Sequence, residues 1–487
     1  MGDMLAGMAV DVSSHLLSDL RSIVGSDHVL VDGDLRAGYE TDWTGRYSGK
    51  CLAVLRPAST AETSELISYC NANYIGIVTQ GGNTGLVGAS VPRPDEAGVR
   101  PSIVLSTSRL THLDPVDTRT MQVTAGAGVT LAAWRTHARS AGLDTPVDFA
   151  ARDSATIGGA IATNAGGSRV LRFGTMRQQV VGVEAVLADG QIVGSLSGLP
   201  KETVGMHWPS LLAGSEGTLA VVTAARLRLV PCFSHTITAL LALETIDDAV
   251  DLLGQLRRDV GSLDALELIE PAAMELVAAH LDRSPPIITH KGGCYLMIDC
   301  ADHVDPSRVL LDVISDASGI VDAAVTTEAP RREDLLQFRD RITEAIGATA
   351  TATGQPTFKL DVAVPVPSLR ELIAVAQKAA DTDGARLIPF GHLAEGNLHL
   401  NYLEATNTER IADTVLNAVA DLGGTISAEH GVGIAKTHWL HLIRSPGDLA
   451  AQRSIKHALD PNMILNPGVL DPEATGQDVP GTSNQVP

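Results

Sequence analysis

The chain has 487 residues, 44% hydrophobic and 19% charged, with 36 Lys and Arg against 57 Asp and Glu and a formal net charge of −21. That length exceeds what one hydrophobic core fills, so two or more domains are expected, and the composition excludes a disordered chain. A balance this acidic excludes a nucleic-acid partner, which needs clustered cations, yet it leaves room for anionic small molecules held by a few buried cations.

The opening MGDMLAGMAVDVSSHLLSDL lacks the basic region and long apolar run of a signal peptide. No stretch reaches the roughly 18 apolar residues of a transmembrane helix. Cys51, Cys70, Cys232, Cys294 and Cys300 are scattered and form no CxxC pair, the usage of a reducing compartment. The expectation is a soluble cytoplasmic protein, with peripheral membrane contact left open.

Leu16, Leu17, Leu20 and Val24 share one face and predict an amphipathic helix ended by Gly25. CLAVLRP then reads as a strand and STAETSELISYCNANY as a helix, with Ser59 and Glu62 at capping-box spacing. IGIVTQ is the next strand and runs straight into GGNTGLVGAS. VVGVEAVLADGQIVGS predicts a hairpin turning at Asp189-Gly190, and GTLAVVTAARLRLVP a strand-rich stretch bounded by Pro231. Beyond it, the strands TITALLALE, DALELIE and CYLMIDC alternate with helices near 246–257, 271–281 and 306–317. AAVTT, the helix PRREDLLQFRDRITEAI, FKLDVAVP, the helix LRELIAVAQKAADT and the two strands of PFGHLAEGNLHLNY follow. Alternation of this kind fits α/β and α+β equally. The tail PEATGQDVPGTSNQVP has almost no apolar content and predicts disorder.

Three groups of residues carry chemistry. In VTQGGNTGLVGAS, Gly81, Gly82, Gly85 and Gly88 follow a strand, where glycines let backbone N–H groups approach a phosphate; the alternative is a tight turn. No Lys-Ser/Thr follows, so this is no Walker A loop, and GxGxxG is absent. DSATIGGAIATNAGGSRVLRFG adds Ser154, Thr156, Gly158, Gly159, Thr163, Asn164, Gly166 and Gly167, and two such loops suggest a large pyrophosphate ligand. In the second group, a strand GNLHLNY points His399 and Asn401 to one face, and His392 across the turn can converge with them. Glu429, beside His430 in SAEHGVGIAK, completes a three-ligand site for a borderline metal. Ordinary polar residues of a hairpin are the competing account. In the third, Arg339 and Thr343 lie i,i+4 on a predicted helix, and Lys359 approaches from the next strand. The three can seat a carboxylate, or they form a solvated surface.

The two glycine-rich stretches together with GSEGTLAVVT resemble the FAD-binding domain of the vanillyl-alcohol-oxidase superfamily, in its FAD-linked D-2-hydroxyacid dehydrogenase branch. The resemblance runs from about residue 45 to about 470. It implies an α+β fold: a two-part FAD-binding domain of the PCMH type and an α/β cap domain with a mainly antiparallel sheet. The implied segments are an N-terminal helical part (1–44), the FAD-binding domain (45–231), the substrate and metal-binding cap (232–425), a segment returning to the flavin (426–471) and a disordered tail (472–487). Gly81, Gly82, Asn83, Thr84, Gly85 and Gly88 would hold the FAD pyrophosphate. Ser154, Gly158, Gly159, Asn164 and Gly166 would line the flavin, with Glu216 closing that site and Asn466, in LDPNMILNPG, reaching it. Some relatives attach FAD to a histidine near the first loop; Asn83 and Thr84 follow Gly82 here, which implies non-covalent FAD.

GHLAEGNLHLN and AEHGVG resemble the metal-site segments of D-2-hydroxyglutarate dehydrogenases and similar D-lactate dehydrogenases. By that resemblance His392, His399 and Glu429 bind a divalent metal, usually zinc, although such sites also hold manganese, iron or cobalt. Asn401, His430, Arg339, Thr343 and Lys359 would contact substrate, Thr343 and Lys359 favouring a dicarboxylic acid, and His430 would be the general base. Glu395 departs from the aspartate of many relatives. The implied reaction oxidises a D-2-hydroxyacid, foremost D-2-hydroxyglutarate with D-lactate as an alternative, to the 2-oxoacid. An electron-transferring flavoprotein or a quinone would take the electrons, and the family leans towards a homodimer. Two readings of other classes stand beside it: a zinc hydrolase, and a flavin binder without turnover.

Overall fold

The computed structural model describes residues 14–94, 100–289, 292–355 and 357–470. The tail predicted to be disordered lies outside the described residues. Three sheets carry the architecture, two in the first half of the chain and one in the second.

The first sheet orders its strands Val29–Leu30, Val54–Leu55, Ser102–Ser106 and Gly76–Gln80, the last three parallel to one another. The amphipathic N-terminal helix, Ser14–Val24, buries Leu20 and Val24 in this sheet's core with Leu66 and Ile67 of the helix Thr60–Ala72. The Ser59 hydroxyl accepts from the Glu62 N–H at 3.1 Å and the Glu62 carboxylate accepts from the Ala58 N–H at 2.8 Å, so the capping spacing read from sequence is a working N-terminus. The C-terminal segment returns to this sheet, with Ile77 N–H bonded to the Ile464 carbonyl at 2.7 Å and Asn466 N–H to the Ile77 carbonyl at 2.8 Å.

The second sheet is antiparallel, in the order Gln122–Gly126, Val221–Arg228, Val180–Val186, Ile192–Ser195. Val186 pairs with Ile192 around Asp189-Gly190, the predicted hairpin. Together these two sheets form the two-part domain expected for FAD.

The third sheet is antiparallel throughout and has seven strands, in the order Ile320–Thr326, His235–Leu243, Cys294–Asp302, Leu263–Ile269, Arg386–His392, Asn397–Leu403, Phe358–Ala363. Period-two alternation divides it. Leu266, Leu268, Leu360, Val362, Leu387, Leu398 and Leu400 face one way, into a core closed by the helices Ile246–Asp259, Leu369–Asp383 and Thr408–Asp421. The opposite face is apolar where the helices Pro271–His280, Ala329–Asp340 and Ile342–Thr353 cover it, and polar elsewhere. Among the described residues no helix is long and apolar enough to cross a membrane.

One helix differs from expectation. PRREDLLQFRDRITEAI folds as two helices, Ala329–Asp340 and Ile342–Thr353, broken at Arg341, whose backbone (φ −89°, ψ 0°) has left the helical region.

Candidate active site

Cross-strand register builds the polar face. Glu267 stands opposite His392, His392 opposite Asn397, Phe390 opposite His399, His399 opposite Asp361, and Asn401 opposite Lys359. Direct partners on adjacent strands share a face, so residues scattered from 267 to 401 become one patch. His392, His399, Asn397, Asn401, Asp361 and Glu267 are all buried.

Glu429 arrives from the loop after the last helix of the cap. His392 Nε2 lies 3.2 Å from Glu429 Oε1, and His399 Nε2 lies 3.8 Å from Glu429 Oε2. The two imidazoles meet edge to face with centroids 5.5 Å apart, and His430 stacks on His399 at 5.6 Å. Each histidine presents its other nitrogen to a buried carboxylate. His392 Nδ1 is hydrogen-bonded to Glu267 Oε1 at 2.7 Å, while His399 Nδ1 lies 3.3 Å from Asp361 Oδ1 without hydrogen-bond alignment. Two imidazoles, His392 steadied at Nδ1 by Glu267, with both Nε2 atoms turned to the Glu429 carboxylate, form a donor set that fits a divalent metal of the zinc type. Asp361, His399, Glu429 and His430 also place a ligand atom each within 4.8 Å of one another. Asp361, however, already accepts from Asn397 Nδ2 and from the Glu429 and His430 N–H groups, which suits it to supporting the site.

The loop bearing Glu429 and His430 is held from both domains. Asp361 Oδ2 accepts the N–H groups of Glu429 and His430 at 2.8 and 3.0 Å, and the Glu216 carboxylate accepts those of Val432 and Gly433 at 2.7 and 2.8 Å. Lys436 closes the loop by donating to the Ile426 and Asp361 carbonyls. Glu429 in turn accepts the Gly167 N–H at 2.9 Å, and a Cβ on Gly166 would sit 2.9 Å from Glu429 Oε1. Gly166 thus makes way for a carboxylate of the opposite domain.

Electrostatics favour positive charge at His392, whereas burial and the Lys359 cation lower the His399 pKa. Burial alone would lower the His392 pKa, but Glu267 and Glu429 together raise it well above the ordinary imidazole value. Burial likewise works against the ionised Glu429, yet His392 holds its carboxyl far below the usual range. A cation held by the two imidazoles would sit against the half-buried Glu429 carboxylate. His430 behaves differently: burial outweighs Asp361 and pushes its pKa down to about 3, so the imidazole is neutral and only weakly basic.

The carboxylate-binding group is partly assembled. Arg339 donates from Nε to Glu267 Oε2 at 2.6 Å, with its guanidinium 4.8 Å from the Phe390 ring centroid. Burial lowers the Lys359 pKa, with Asp361 and Glu429 opposing. Thr343 does not share a helix with Arg339, because the break at Arg341 intervenes, and it is exposed. Asn401 donates from Nδ2 to the Ile388 and His399 carbonyls at 3.1 Å each, so only its Oδ1 remains for a ligand.

The glycine loops meet beside this site. A Cβ on Gly82 would strike the Ser154 carbonyl, and one on Gly81 the Thr156 hydroxyl, so those glycines let the two loops touch. Asn83 is in the left-handed region (φ 51°), with Nδ2 donating to the Thr41 carbonyl and Oδ1 accepting from Ser90. The backbone N–H groups of Gly82 to Leu86 have no acceptor among the described residues, and the stretch is half-buried. Thr84 and Gly85 lie in that run, and a Cβ on Gly85 would meet only the Ser90 hydroxyl, at 3.9 Å. Successive free N–H groups make a nest for an anion, which fits a pyrophosphate. Gly88, at φ 72°, packs against Tyr47 and Ile434.

Several residues expected at the flavin are engaged within the protein. Gly158 N–H bonds to the Ala127 carbonyl, and Gly159 N–H to the Thr156 hydroxyl, the cap of a short helix. Asn164 Oδ1 accepts from Thr175 and Arg177. Asn466 Nδ2 donates to the Ala89 and Glu216 carbonyls at 3.0 and 2.6 Å, tying the first glycine loop to the Glu216 turn. Glu216 serves as the clamp described above. Sequence reasoning missed Glu267, Asp361, Asn397 and Lys436; DALELIE and FKLD offer one signal, acidic residues at core-strand positions that demand a buried partner.

Residues 51–195 match the FAD binding domain family, and residues 234–470 match the C-terminal domain of FAD linked oxidases. The chain is 33% identical over 450 residues to D-2-hydroxyglutarate dehydrogenase of Xanthomonas citri pv. viticola, covering 89% of this chain and 92% of the relative. It is 32% identical over 467 residues to the mitochondrial D-2-hydroxyglutarate dehydrogenase of Danio rerio, covering 94% and 85%. The structure of p-cresol methylhydroxylase with substrate bound superposes with a TM-score of 0.75 at 17% identity, covering 95% of this chain and 97% of that one, a likeness of fold.

Proposed function

The chain belongs to the FAD-linked oxidase family, and from that premise we propose that it is an FAD- and metal-dependent dehydrogenase of D-2-hydroxyacids, with D-2-hydroxyglutarate as the leading substrate. The observation that carries the metal-dependent part is the turn of both His392 and His399 Nε2 towards Glu429, on the sheet face that also holds Arg339 and Lys359.

His392, His399 and Glu429 would hold the metal, and the free N–H groups of Gly82 to Leu86 the FAD pyrophosphate. Bound FAD supplies a hydride acceptor, and a bound metal supplies Lewis acidity that lowers the pKa of the substrate hydroxyl. His430, neutral and stacked on His399, would take the hydroxyl proton as hydride leaves the same carbon for the flavin, its weak basicity requiring a hydroxyl already acidified by the metal. Arg339 and Lys359 bind the carboxylate end and orient the C–H bond, two cations suited to a dicarboxylic acid. Thr343 and Asn401 contribute less than the resemblance implies: the first is exposed, and the second offers only Oδ1.

The test is a panel of D-2-hydroxyacids with an artificial acceptor, run alongside metal analysis and the flavin spectrum. The yellow protein should bleach with D-2-hydroxyglutarate. His399→Ala should lose the metal and at least about 100-fold in activity while keeping its flavin. A variant that loses flavin and keeps metal, or a native enzyme fully active after chelation, would sink the metal assignment. Faster turnover of D-lactate would replace the substrate.

A further inference from the structure

We propose that Glu267 is a positioning residue that joins the two halves of the site, one oxygen fixing His392 as a metal ligand and the other fixing Arg339 as the carboxylate anchor. The inference rests on the metal-site reading above and extends it to a residue outside the ligand set.

Glu267 is buried in the strand Leu263–Ile269, opposite His392 in the ladder. Its Oε1 is 2.7 Å from His392 Nδ1 and its Oε2 is 2.6 Å from Arg339 Nε. An ionised carboxylate only accepts, so it keeps a proton of His392 on Nδ1 and leaves Nε2, facing Glu429, as the nitrogen available to a metal. Holding Arg339 by Nε leaves the two terminal nitrogens as a fork for a carboxylate, and Phe390 lies under the guanidinium with its centroid 4.8 Å away. Asp361 does not do the same for His399: its oxygens are taken by Asn397 and the 429–430 backbone, and His399 Nδ1 stays off hydrogen-bond alignment. Glu267 therefore has two donors to satisfy and the only well-aligned bond to a metal-binding imidazole among the described residues. Glutamine offers one acceptor oxygen, so Glu267→Gln must turn its NH2 against one of the two donors.

The experiment strips purified holoprotein with a chelator and titrates Zn2+ back in competition with a colorimetric chelator, following flavin absorbance and KM in parallel. Glu267→Gln should bind Zn2+ roughly 10- to 100-fold more weakly and raise KM for the hydroxyacid, with flavin per chain unchanged. Glu267→Asp keeps both acceptors on a shorter stem and should fall between the two, which keeps the test open if the glutamine variant misfolds. Native-like Zn2+ affinity and KM in either folded variant overturns the proposal. A native protein that takes up no Zn2+, Mn2+, Fe2+ or Co2+ sinks the underlying metal reading instead, and flavin loss matching the metal loss marks Glu267 as merely structural.

Discussion

Glu267 and Glu270 stand three residues apart on the same strand and its exit, and partners alone separate their chemistry. Burial would raise the pKa of Glu267, but Arg339 and His392 push it down to about 2. Glu270 has no such partner, its Oε1 is buried without a hydrogen bond, and burial pushes it up to about 7. A raised carboxylate pKa means the folded state prefers the proton. The associated stability is full below the unfolded pKa, about 4.5, and is lost as pH rises through about 7. Glu270→Gln should therefore raise stability at pH 8, on the order of 2–3 kcal/mol, and change little at pH 4.5, a crossing readable from urea melts at the two pH values. No signal in the sequence distinguishes these two glutamates, because the donors that rescue Glu267 come from positions 339 and 392.

Elements follow local rules, and most were legible for that reason. Ser59 caps its helix through the Glu62 N–H, so Ser59→Ala should cost about 1 kcal/mol, seen as a lower Tm with flavin content unchanged. The glycine loop carries a different constraint. A Cβ at Gly82 would collide with the Ser154 carbonyl, so Gly82→Ala should push the two loops apart and weaken flavin retention at least about tenfold, measured by flavin released on dilution. The break at Arg341 was not legible: the apolar spacing of DLLQFRDRITEAI satisfies one continuous helix. Leu335 and Phe338 before the break and Ile342, Ala345 and Ile346 after it all pack into the same core, and two helices meet that core where one straight helix was expected. That bend is what separates Thr343 from Arg339.

At the scale of the molecule, the two domains are joined by buried charge as well as by the 429–433 loop. Arg169 Nε bonds Asp264 Oδ2 at 3.0 Å and Arg172 Nη1 approaches Asp264 Oδ1 at 3.4 Å, both arginines reaching from the FAD-binding half into the large sheet. Asp264→Asn removes the carboxylate shared by two adjacent guanidinium groups, leaving Arg169 with Asp144 at 3.7 Å and Arg172 with carbonyl partners. It should cost about 3 kcal/mol and lower the denaturant midpoint, with the flavin lost at lower denaturant than in the native chain. An unchanged midpoint would mean that solvent already screens the pair.

The sequence alone determined what depends on neighbours along the chain: the alternation of strands and helices, the capped helix at Ser59, the Asp189-Gly190 hairpin, and two glycine loops whose backbone must come close to something. It also nominated the residues with chemistry to offer, and family resemblance grouped His392, His399 and Glu429. Only the tertiary structure decided how those residues are held. Register across four antiparallel strands set Glu267 against His392 and Asp361 against His399, and Glu216 and Asp361 clamp one loop from two domains. These pairings form across sequence separations of about 125, 38 and 216 residues, where polar pairing in a low-dielectric interior, and not local propensity, selects the partner.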